Sequence, residues 1–476
     1  MQDKIEIRWF YGLIFSFLAL SIGFLTQEMY WFAALPLLVG IVYLAIFSLD
    51  VILYIVAFAT PLAIVLNDKS SGPALSLPSE PLLFGVLLLF AFKFIFEGKF
   101  DKRVLNHPVS YAIYFLLGWT LVTSLTSSFP IVSFKHLLSQ LWFIVPVYFL
   151  GTQLFKEKKN IKRFIWLYLS SLCIVIIYTI TQHAQNGWTQ KAAHWVMTPF
   201  YNDHTAYAAV LALFIPPVIH LWRDHTNSFK ERTLSGLAVI LLFTAIILSY
   251  TRAAWLSLVV VFALFFVYRF RIKFYTVLTV SLGLLIVFLS MRTDIMMKLE
   301  KNRQDSATDF NKHIQSISNI STDASNLERI NRWNCAIRMW KLRPFWGWGP
   351  GTYQFNYAPF QKASEMTIIS TNAGDMGNAH SEFIGPLSEQ GVLGMAAMII
   401  LVVVVIYRAT IIYSKSKNRS TQRLTLALLL GLITYFIHGT LNNFLDTDKL
   451  AVPFWAFISM IVALDIYVYG EEKGQG

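Results

Sequence analysis

Apolar runs long enough to cross a membrane recur along most of this chain, and they constrain its fold more than any other feature. A transmembrane helix needs about 17–25 such residues. Only 14% of the residues are charged, against roughly 25% in soluble domains, so water cannot be the main solvent of this fold. The sequence predicts an all-α integral membrane protein, a polytopic helical bundle of about 12–14 transmembrane helices. The predicted spans lie near residues 9–26, 30–48, 51–67, 81–97, 109–126, 137–155, 163–183, 204–222, 235–250, 253–269, 273–291, 382–407, 422–440 and 451–469.

The number of spans is least certain in the first hundred residues. Asp50 alone separates the second span from the third, which leaves open a single bent hairpin there. Two of the predicted spans are also open to being re-entrant segments. A miscounted pair of this kind leaves the orientation of the remaining spans unchanged.

Lysine and arginine are distributed unevenly between the two ends of the predicted spans. One set of loops carries dense clusters, such as residues 156–163 and 408–423, whereas the short loops at the other end hold few basic residues. Because basic short loops stay on the cytoplasmic side, both termini are predicted to be cytoplasmic. The same loops account for the net charge of +12, so no nucleic-acid partner is predicted. The basic residues of the sparse side are Lys69, Lys135, Lys191, Arg252 and Lys449.

A long polar segment, residues 292–381, follows the eleventh predicted span and lies on the outer side in this topology. It divides the chain into an N-terminal transmembrane region over 1–291, an extracytoplasmic loop over 292–381 and C-terminal transmembrane helices over 382–476. The loop is rich in lysine and arginine, but long loops cross the membrane whatever their charge. Its basic residues are therefore open to two interpretations, a solvated domain or an anion-binding one.

The stretch "DASNLERINRWNCAIRMWKLRP" contains the clearest helical signal in this loop. Ser325 and Glu328 have the spacing of a capping box, and Pro344 disfavours helical geometry at the preceding Arg343. We therefore predict a helix over about 326–342. Its apolar face is formed by Ile330, Trp333, Ile337 and Trp340.

Arg329 stands in the first turns of this helix, with Arg332 nearby. The positive end of a helix together with guanidinium groups favours a phosphate, although solvated arginines on an amphipathic helix give the same pattern. The following "GWGPGTYQF", residues 347–355, predicts a fixed turn. Gly349 and Gly351 within it either redirect the chain or let the backbone approach a ligand.

Two ionisable residues are predicted to lie at the outer edge of the membrane. Arg252, in "SYTRAAWLSL", either extends to the headgroups or serves the function, because ionisable residues near the membrane are functional candidates. His380 stands where the twelfth span begins, with Ser381 as the predicted cap, and the ordinary pKa of histidine suits a proton acceptor. Glu382 and Glu389 are candidate carboxylate partners. Five other histidines on this side are alternatives to His380: His183, His194, His204, His313 and His438.

No metal site is predicted from these residues. The histidines form no HExxH pattern. The two cysteines, Cys173 and Cys335, lack a CxxC spacing and lie in different kinds of segment, so neither a disulfide nor a metal site is expected.

Taken in order, several segments between residues 200 and 394 resemble the bacterial O-antigen ligase and O-antigen polymerase superfamily. "FYNDHTAYAAVLALFIP", residues 200–216, resembles the start of a mid-chain span, and "SYTRAAWLSL" resembles the arginine turn that follows it. Arg329 and Trp333 resemble an R-x-x-x-W helix start, and "PFWGWGPGTYQF" resembles a glycine-rich turn. "AHSEFIGPLSEQGVLG" resembles the histidine motif of the family, although Ser381 stands where many members have asparagine.

The resemblance implies a membrane glycosyltransferase of the GT-C type. Such enzymes pass a glycan from undecaprenyl diphosphate to an acceptor hydroxyl, which in the ligases belongs to the lipid A core, and they need no metal, cofactor or nucleotide sugar. It also implies a bacterial inner-membrane location with the active site facing the periplasm. His380 matches the histidine that activates the acceptor, Arg252 and Arg329 match the arginines that bind the diphosphate, and Lys135 matches a further basic residue loosely. Supporting roles fall to Glu382, Arg332, Trp333, Gly349 and Gly351.

Other functions remain open beside ligation. A polymerase, which joins lipid-linked repeats, and a protein O-oligosaccharyltransferase share the same site residues, and the C-terminal motif favours the ligase. From other classes, a transporter of lipid-linked glycan and a scaffold for a glycan-assembly complex are the alternatives. The transporter is disfavoured because Asp50 and Asp465 lie near the cytoplasmic ends of their spans and no acidic pair lies at mid-membrane.

Overall fold

The computed structural model describes residues 48–66, 75–98, 100–273, 327–367 and 377–474, with Ser370 and scattered residues between 15 and 26 and between 275 and 290. The chain divides into two units, residues 1–55 and residues 56–476. In the first unit the described residues are helical at 15–17, 20–24 and 49–55. Helices also dominate the described part of the second unit, which confirms the predicted all-α class.

Twelve helices of the described residues are numbered here in chain order. They are α1 (Leu49–Leu62), α2 (Ser79–Glu97), α3 (Pro108–Leu125), α4 (Pro130–Leu154), α5 (Lys158–Gln185), α6 (His204–Arg223), α7 (Phe229–Leu248), α8 (Arg252–Arg269), α9 (residues 327–342), α10 (Ile384–Lys415), α11 (Arg419–His438) and α12 (Asp448–Leu464). Shorter helical segments are Lys102–Leu105, Gln190–Ala193, Tyr353–Asn356, Ala358–Phe360, Ala363–Glu365, Asp465–Tyr469 and Gly470–Gly474. Within α4, Val145–Leu150 forms a π-helical stretch that contains Pro146.

Ten of these helices, α2 to α8 and α10 to α12, are long and apolar enough to cross a membrane within the described residues. They confirm a multi-pass membrane protein. Three predicted spans, 9–26, 30–48 and 273–291, lie wholly or largely outside the described residues. The helix predicted over about 326–342 corresponds to α9 at 327–342, and Ser325 of the proposed capping box is outside the described residues.

The span predicted over 51–67 is wrong for residues 63–66. Helix α1 has 14 residues and ends at Leu62, and an antiparallel hairpin of β1 (Ile64–Leu66) and β2 (Leu75–Leu77) follows it. The ammonium group of Lys449, on α12, donates to the carbonyl oxygens of Thr60 at 2.5 Å and Ala63 at 2.6 Å. This distant lysine adds a donor to two carbonyls at the end of α1, where helix carbonyls lose their partners within the helix, and the apolar run alone did not indicate this contact.

The helices differ strongly in how much of their surface the protein covers. Helix α12 is apolar on all sides and is the most buried of the ten, whereas α8 is the least buried. A Cβ added to Gly431 of α11 would lie 2.6 Å from the carbonyl oxygen of Leu213 on α6, a close approach typical of membrane helices. On α8 the side chains of Trp255, Val259 and Phe262 are exposed, as expected for a helix that faces lipid.

Several inter-helix turns contact the described residues between 327 and 382 at one end of the bundle, which we call the loop face. The amide of Ser128, in the turn after α3, donates to the carbonyl of Trp348 at 2.9 Å. The amide of Glu382 donates to the carbonyl of Gly439, in the turn after α11, at 2.8 Å. The loop face is therefore a packed surface in which the long loop touches the ends of helices from both halves of the chain.

A second polar cluster lies at the opposite end of the same helices, which we call the base. The Oδ2 atom of Asp465 is 3.0 Å from Nε2 of His107 and 2.7 Å from Nε of Arg408. The other ring nitrogen of His107, Nδ1, accepts a hydrogen bond from the amide of Val109 at 3.2 Å. Every nitrogen of this buried histidine is thus paired, and the cluster ties α3, α10 and α12 together.

Candidate active site

His380 lies just before α10, in a turn fixed by its neighbours. Its φ of +48° is in the left-handed region, which is uncommon for residues other than glycine. The side chain of Asn378 accepts from the His380 amide at 3.0 Å. The Ser381 hydroxyl accepts from the amides of Phe383 and Ile384, each at 3.2 Å. Phe383, and not the predicted Ser381, occupies the cap position of α10, because the helix begins two residues later than expected. These bonds hold the histidine at the helix start.

The surroundings of His380 favour its neutral form. Burial lowers its pKa, and the guanidinium groups of Arg329 and Arg332 lower it further, to about 4, although Asp203 and Glu328 act in the opposite direction. The imidazole is therefore neutral at pH 7, and one ring nitrogen carries a free lone pair. This pKa lies below the ordinary value assumed from the sequence, because the sequence did not show that two arginines and a partly buried site surround the ring.

Arg329, in the first turn of α9, lies close to Asp203, which precedes α6. Burial lowers the pKa of the guanidinium and Asp203 raises it, and an arginine keeps its charge in either case. Burial raises the pKa of Asp203, but hydrogen bonds from His204 and Thr205 outweigh burial and bring the pKa to about 2. The structure thus groups a charged arginine and an ionised aspartate with the neutral imidazole of His380.

Arg332 supports the same region through contacts of its own. Its Nε donates to Oε1 of Glu328 at 2.7 Å, and its guanidinium carbon lies 4.4 Å from the ring centre of Tyr357. A Cβ on Gly377 would come within 1.6 Å of Nη1, so the chain leading to the histidine packs directly on this side chain. Within the described residues, neither Nη1 of Arg332 nor the buried indole nitrogen of Trp333 has a hydrogen-bond partner.

Arg252 is exposed at the first position of α8. The hydroxyl of the preceding Thr251 lies 3.5 Å from the carbonyl oxygen of His204. The start of α8 therefore lies beside the start of α6, where Asp203 is found. This hydrogen bond from the Thr251 hydroxyl, together with the exposure of Arg252, places Arg252 at the rim of the cluster rather than among its buried side chains.

Lys135 is also exposed, on the second turn of α4. The next residue, His136, is less exposed, and its Nε2 lies 3.1 Å from Nε2 of Gln140. The other nitrogen of His136 is 3.9 Å from a carboxylate oxygen of Asp446, in the turn after α11. His136 was not predicted, since a single histidine beside a lysine carries no pattern of its own.

Glu382 is not the partner of His380 in this structure. Its carboxylate accepts from the backbone amides of Phe444 at 2.8 Å and Leu445 at 3.0 Å, and from the hydroxyl of Tyr435. These three donors belong to α11 and the turn that follows it. Glu382 therefore fixes that turn against the start of α10.

The glycine-rich turn packs against other parts of the protein. The amide of Gly349, whose φ is +111°, donates to the carbonyl of Glu389 at 2.7 Å, and a Cβ there would lie 1.9 Å from the hydroxyl of Ser127. The Glu389 carboxylate accepts from the amides of Gly351 at 3.0 Å and Tyr353 at 2.9 Å. Of the two interpretations left open by the sequence, these contacts favour a turn that redirects the chain.

His438, at the end of α11, belongs to the same cluster as His380. It is 1% exposed and lies within electrostatic range of Asp203 and Arg329. These two groups also act on His380. His438 was one of five alternatives among the outer histidines, and Asp203 was not predicted as a site residue although it stands at a helix N-cap position.

The remaining outer histidines have other surroundings. Nδ1 of His204 is 3.3 Å from Asp203, and its ring centre is 4.2 Å from that of His194. The Nε2 atom of His183 is 2.9 Å from the carbonyl oxygen of Thr189. His313 lies outside the described residues. In the part of the chain that the structure describes, no three histidine, cysteine or carboxylate side chains are grouped as metal ligands.

Comparison with known families identifies the middle of the chain. A family model for O-antigen ligase matches residues 237–399, about a third of the sequence. These residues form an O-antigen ligase domain. The expected superfamily is thereby confirmed, and with it a membrane glycosyltransferase of the ligase or polymerase type. A comparison with curated proteins finds no match.

The O-antigen ligase domain covers α8, α9, the glycine-rich turn, His380 and the first half of α10. Arg252 and Arg329 also lie within it. Asp203 and His438 lie outside it, on either side in the sequence, yet both are grouped with Arg329 in the fold. The cluster at the loop face is therefore wider than the matched domain.

Proposed function

We propose that this protein transfers a glycan from undecaprenyl diphosphate to a hydroxyl of the lipid A core, as an O-antigen ligase of a bacterial inner membrane. The observation that carries the proposal is the neutral imidazole of His380 beside the charged Arg329, both within the O-antigen ligase domain. This pair offers a proton acceptor and an anion-binding group at one place. Those are the two functions that transfer from a diphosphate-linked sugar requires.

The proposed orientation puts both termini in the cytoplasm and the loop face in the periplasm. It is supported by the basic loops at residues 156–163 and 408–423, which lie at the base, away from His380. Short loops rich in lysine and arginine stay in the cytoplasm. Labelling of single cysteines placed at Lys135 and at Lys415 from outside intact cells tests this orientation, and we expect only the first to react.

In the proposed reaction, His380 accepts the proton of the acceptor hydroxyl while the hydroxyl oxygen attacks the anomeric carbon. The bond from that carbon to the diphosphate oxygen breaks, and its electron pair leaves with the diphosphate. A single displacement of this kind inverts the anomeric centre. General base catalysis contributes roughly 10²–10⁴-fold to such rates, which is enough to make His380 indispensable in practice.

The negative charge that develops on the leaving diphosphate is the main energetic difficulty. Arg329 lies where it can bind this charge, and Arg252 lies at the rim, with Lys135 exposed on a neighbouring helix. Charge-assisted hydrogen bonds from guanidinium groups are strong, and they strengthen where lipid and protein exclude water. We propose that these side chains replace a divalent cation, so an excess of EDTA should leave the transfer rate unchanged.

Binding of the donor also changes His380. Burial and, after it, two arginines hold the pKa of His380 near 4 in the free protein, and a bound diphosphate would partly neutralise those arginines. An anion beside an imidazole raises its pKa. The histidine therefore becomes a stronger base when the donor is in place, which couples proton acceptance to the presence of substrate.

The glycans of a strain that lacks this protein distinguish the proposed ligase from its alternatives. Lipid A without long glycan, together with lipid-linked polymer that accumulates, indicates a ligase. Lipid A that carries a single repeat indicates a polymerase, and loss of glycan from serine or threonine indicates a protein O-oligosaccharyltransferase. Movement of lipid-linked glycan across vesicles without covalent transfer would instead identify a transporter, and an unchanged glycan phenotype in His380→Ala would favour a scaffold.

A further inference from the structure

His438 is a buried polar side chain whose hydrogen bonds are not made by the protein. It is 1% exposed, and within the described residues neither Nδ1 nor Nε2 has a hydrogen-bond partner. Buried polar groups in native proteins nearly always have such partners, because leaving them unpaired costs free energy. We therefore expect a bound molecule to make the hydrogen bonds that the described residues do not make to this ring.

The neighbours of His438 come from several separate elements. Asp203 precedes α6 and Arg329 lies on α9, and both act on the ring electrostatically. The ring centre of Phe444, in the following turn, is 5.9 Å away. The next residue, Gly439, accepts from the amide of Glu382 at 2.8 Å, so the chain around His438 is joined directly to the chain around His380.

The chemistry of a neutral imidazole limits what can occupy this place. One ring nitrogen donates a hydrogen bond and the other accepts one. A sugar diphosphate carries phosphate oxygens, which accept, next to sugar hydroxyls, which donate. Arg329, which acts on the His438 ring electrostatically, provides positive charge for the phosphate. An apolar lipid chain satisfies neither nitrogen.

We infer that His438 is a second substrate-binding histidine, which holds the junction between the sugar and the diphosphate of the donor. Its N–H donates to a phosphate oxygen, and its bare nitrogen accepts from a hydroxyl of the first sugar. This role rests on the proposed function. It differs from that of His380, because His438 binds the donor and does not remove the acceptor's proton.

The test compares His438→Phe and His438→Gln with wild-type protein in proteoliposomes. The probe is undecaprenyl-diphosphate-linked glycan extracted from the native membranes, and His225→Ala, at an exposed histidine between α6 and α7, is the control. We expect His438→Phe to raise KM for this donor about tenfold, as the loss of a hydrogen bond to a charged group predicts. Gln carries both a donor and an acceptor, so His438→Gln should restore KM to within about threefold.

Stability separates binding from a structural role. Replacing an unpaired buried polar group by an apolar one of similar shape is close to neutral or stabilising. Without substrate, His438→Phe should therefore unfold at the same temperature as wild type or higher, while binding donor more weakly. If phenylalanine does not fit and the unfolding temperature falls, His438→Ala takes its place in the same comparison with His438→Gln.

Two results would overturn the inference while leaving the proposed function intact. One is an active wild type together with a folded His438→Phe or His438→Ala whose KM for donor is unchanged, which would mean that water fills the site. The other is a loss that follows the unfolding temperature and that glutamine does not rescue. Wild-type protein that transfers no glycan at all would overturn the proposed function itself.

Discussion

Two buried histidines at opposite ends of the bundle show how differently the protein treats the same side chain. At the base, both nitrogens of His107 are bonded, one to Asp465 and one to the amide of Val109. At the loop face, neither nitrogen of His438 has a partner within the described residues. Both rings are buried, so burial alone does not distinguish a structural histidine from one that binds a ligand.

A buried network whose polar groups are all hydrogen-bonded serves stability, whereas one with unbonded groups is suited to binding a ligand. The base cluster satisfies its own charges and joins three helices, which is what a network for stability requires. The loop-face cluster groups Arg329, His380 and His438 around Asp203, and within the described residues it leaves both nitrogens of His438 without a hydrogen-bond partner. Substitutions at the base should therefore alter stability, and substitutions at the loop face should alter catalysis.

The largest expected effect is at His380. His380→Ala removes the proposed proton acceptor and should lower kcat about 10²–10⁴-fold, with the unfolding temperature within a few degrees of wild type. Transfer kinetics and thermal unfolding in detergent measure the two quantities. Full activity in His380→Ala, or an equal loss in the control His225→Ala, would contradict a catalytic role for the loop face.

Arg329→Ala should have the next largest effect. Removing one group that stabilises developing charge lowers rates about 10²–10³-fold in comparable sites. Arg329→Lys keeps the charge but loses the bidentate geometry, so it should recover only part of the rate. Lys341→Ala, which removes an exposed cation from the same helix, is the matched control, and equal losses in both variants would contradict a specific role.

A substitution at the base should lower stability and leave catalysis unchanged, the opposite of the result expected at the loop face. Asp465→Ala removes the acceptor of both His107 and Arg408, and hydrogen bonds to charged groups contribute about 1.5–3 kcal/mol each. We expect a lower unfolding temperature, with transfer activity per folded molecule close to wild type. A loss of kcat without any loss of stability would show that the base cluster takes part in function.

The smallest effect concerns pH. Neutral His380 is the active form, so activity falls as pH drops through its pKa, which is about 4 in the free protein. In a pH profile, the acid limb of kcat/KM gives the pKa of the group in the free protein, and the acid limb of kcat gives its pKa in the donor complex. Because bound diphosphate raises the pKa, the kcat limb should lie about one unit or more higher. A kcat limb at lower pH than the kcat/KM limb would contradict the coupling, and His380→Ala should lack both limbs.

The sequence was sufficient for features that depend on local pattern. Apolar length predicted the helices that became α2 to α8 and α10 to α12, and the position of Ser381 predicted the bonds that its hydroxyl accepts at the start of α10. The same approach failed at residues 63–66, where α1 has ended and a hairpin begins. The carbonyls at this point bond to Lys449, almost four hundred residues away, a contact that no local pattern expresses.

The proposed site was predictable only where a motif named the residue. The family resemblance predicted Arg329 and His380, and in the structure the arginine acts electrostatically on the histidine. Asp203 and His438 belong to the cluster through the packing of α6 and α11, which no spacing in the sequence expresses. The low pKa of His380 was missed for the same reason, since it arises from burial and from arginines on another element.

The bonds made by Glu382 have a consequence for anyone who exchanges segments between members of this superfamily. The matched domain stops at residue 399, but the carboxylate at 382 takes its donors from Tyr435, Phe444 and Leu445. A chimera cut at the domain boundary would give this carboxyl group a foreign set of donors. Chimeras that take residues 377–399 and 435–447 from the same parent should fold and transfer glycan. Chimeras that take only one of these two segments should not.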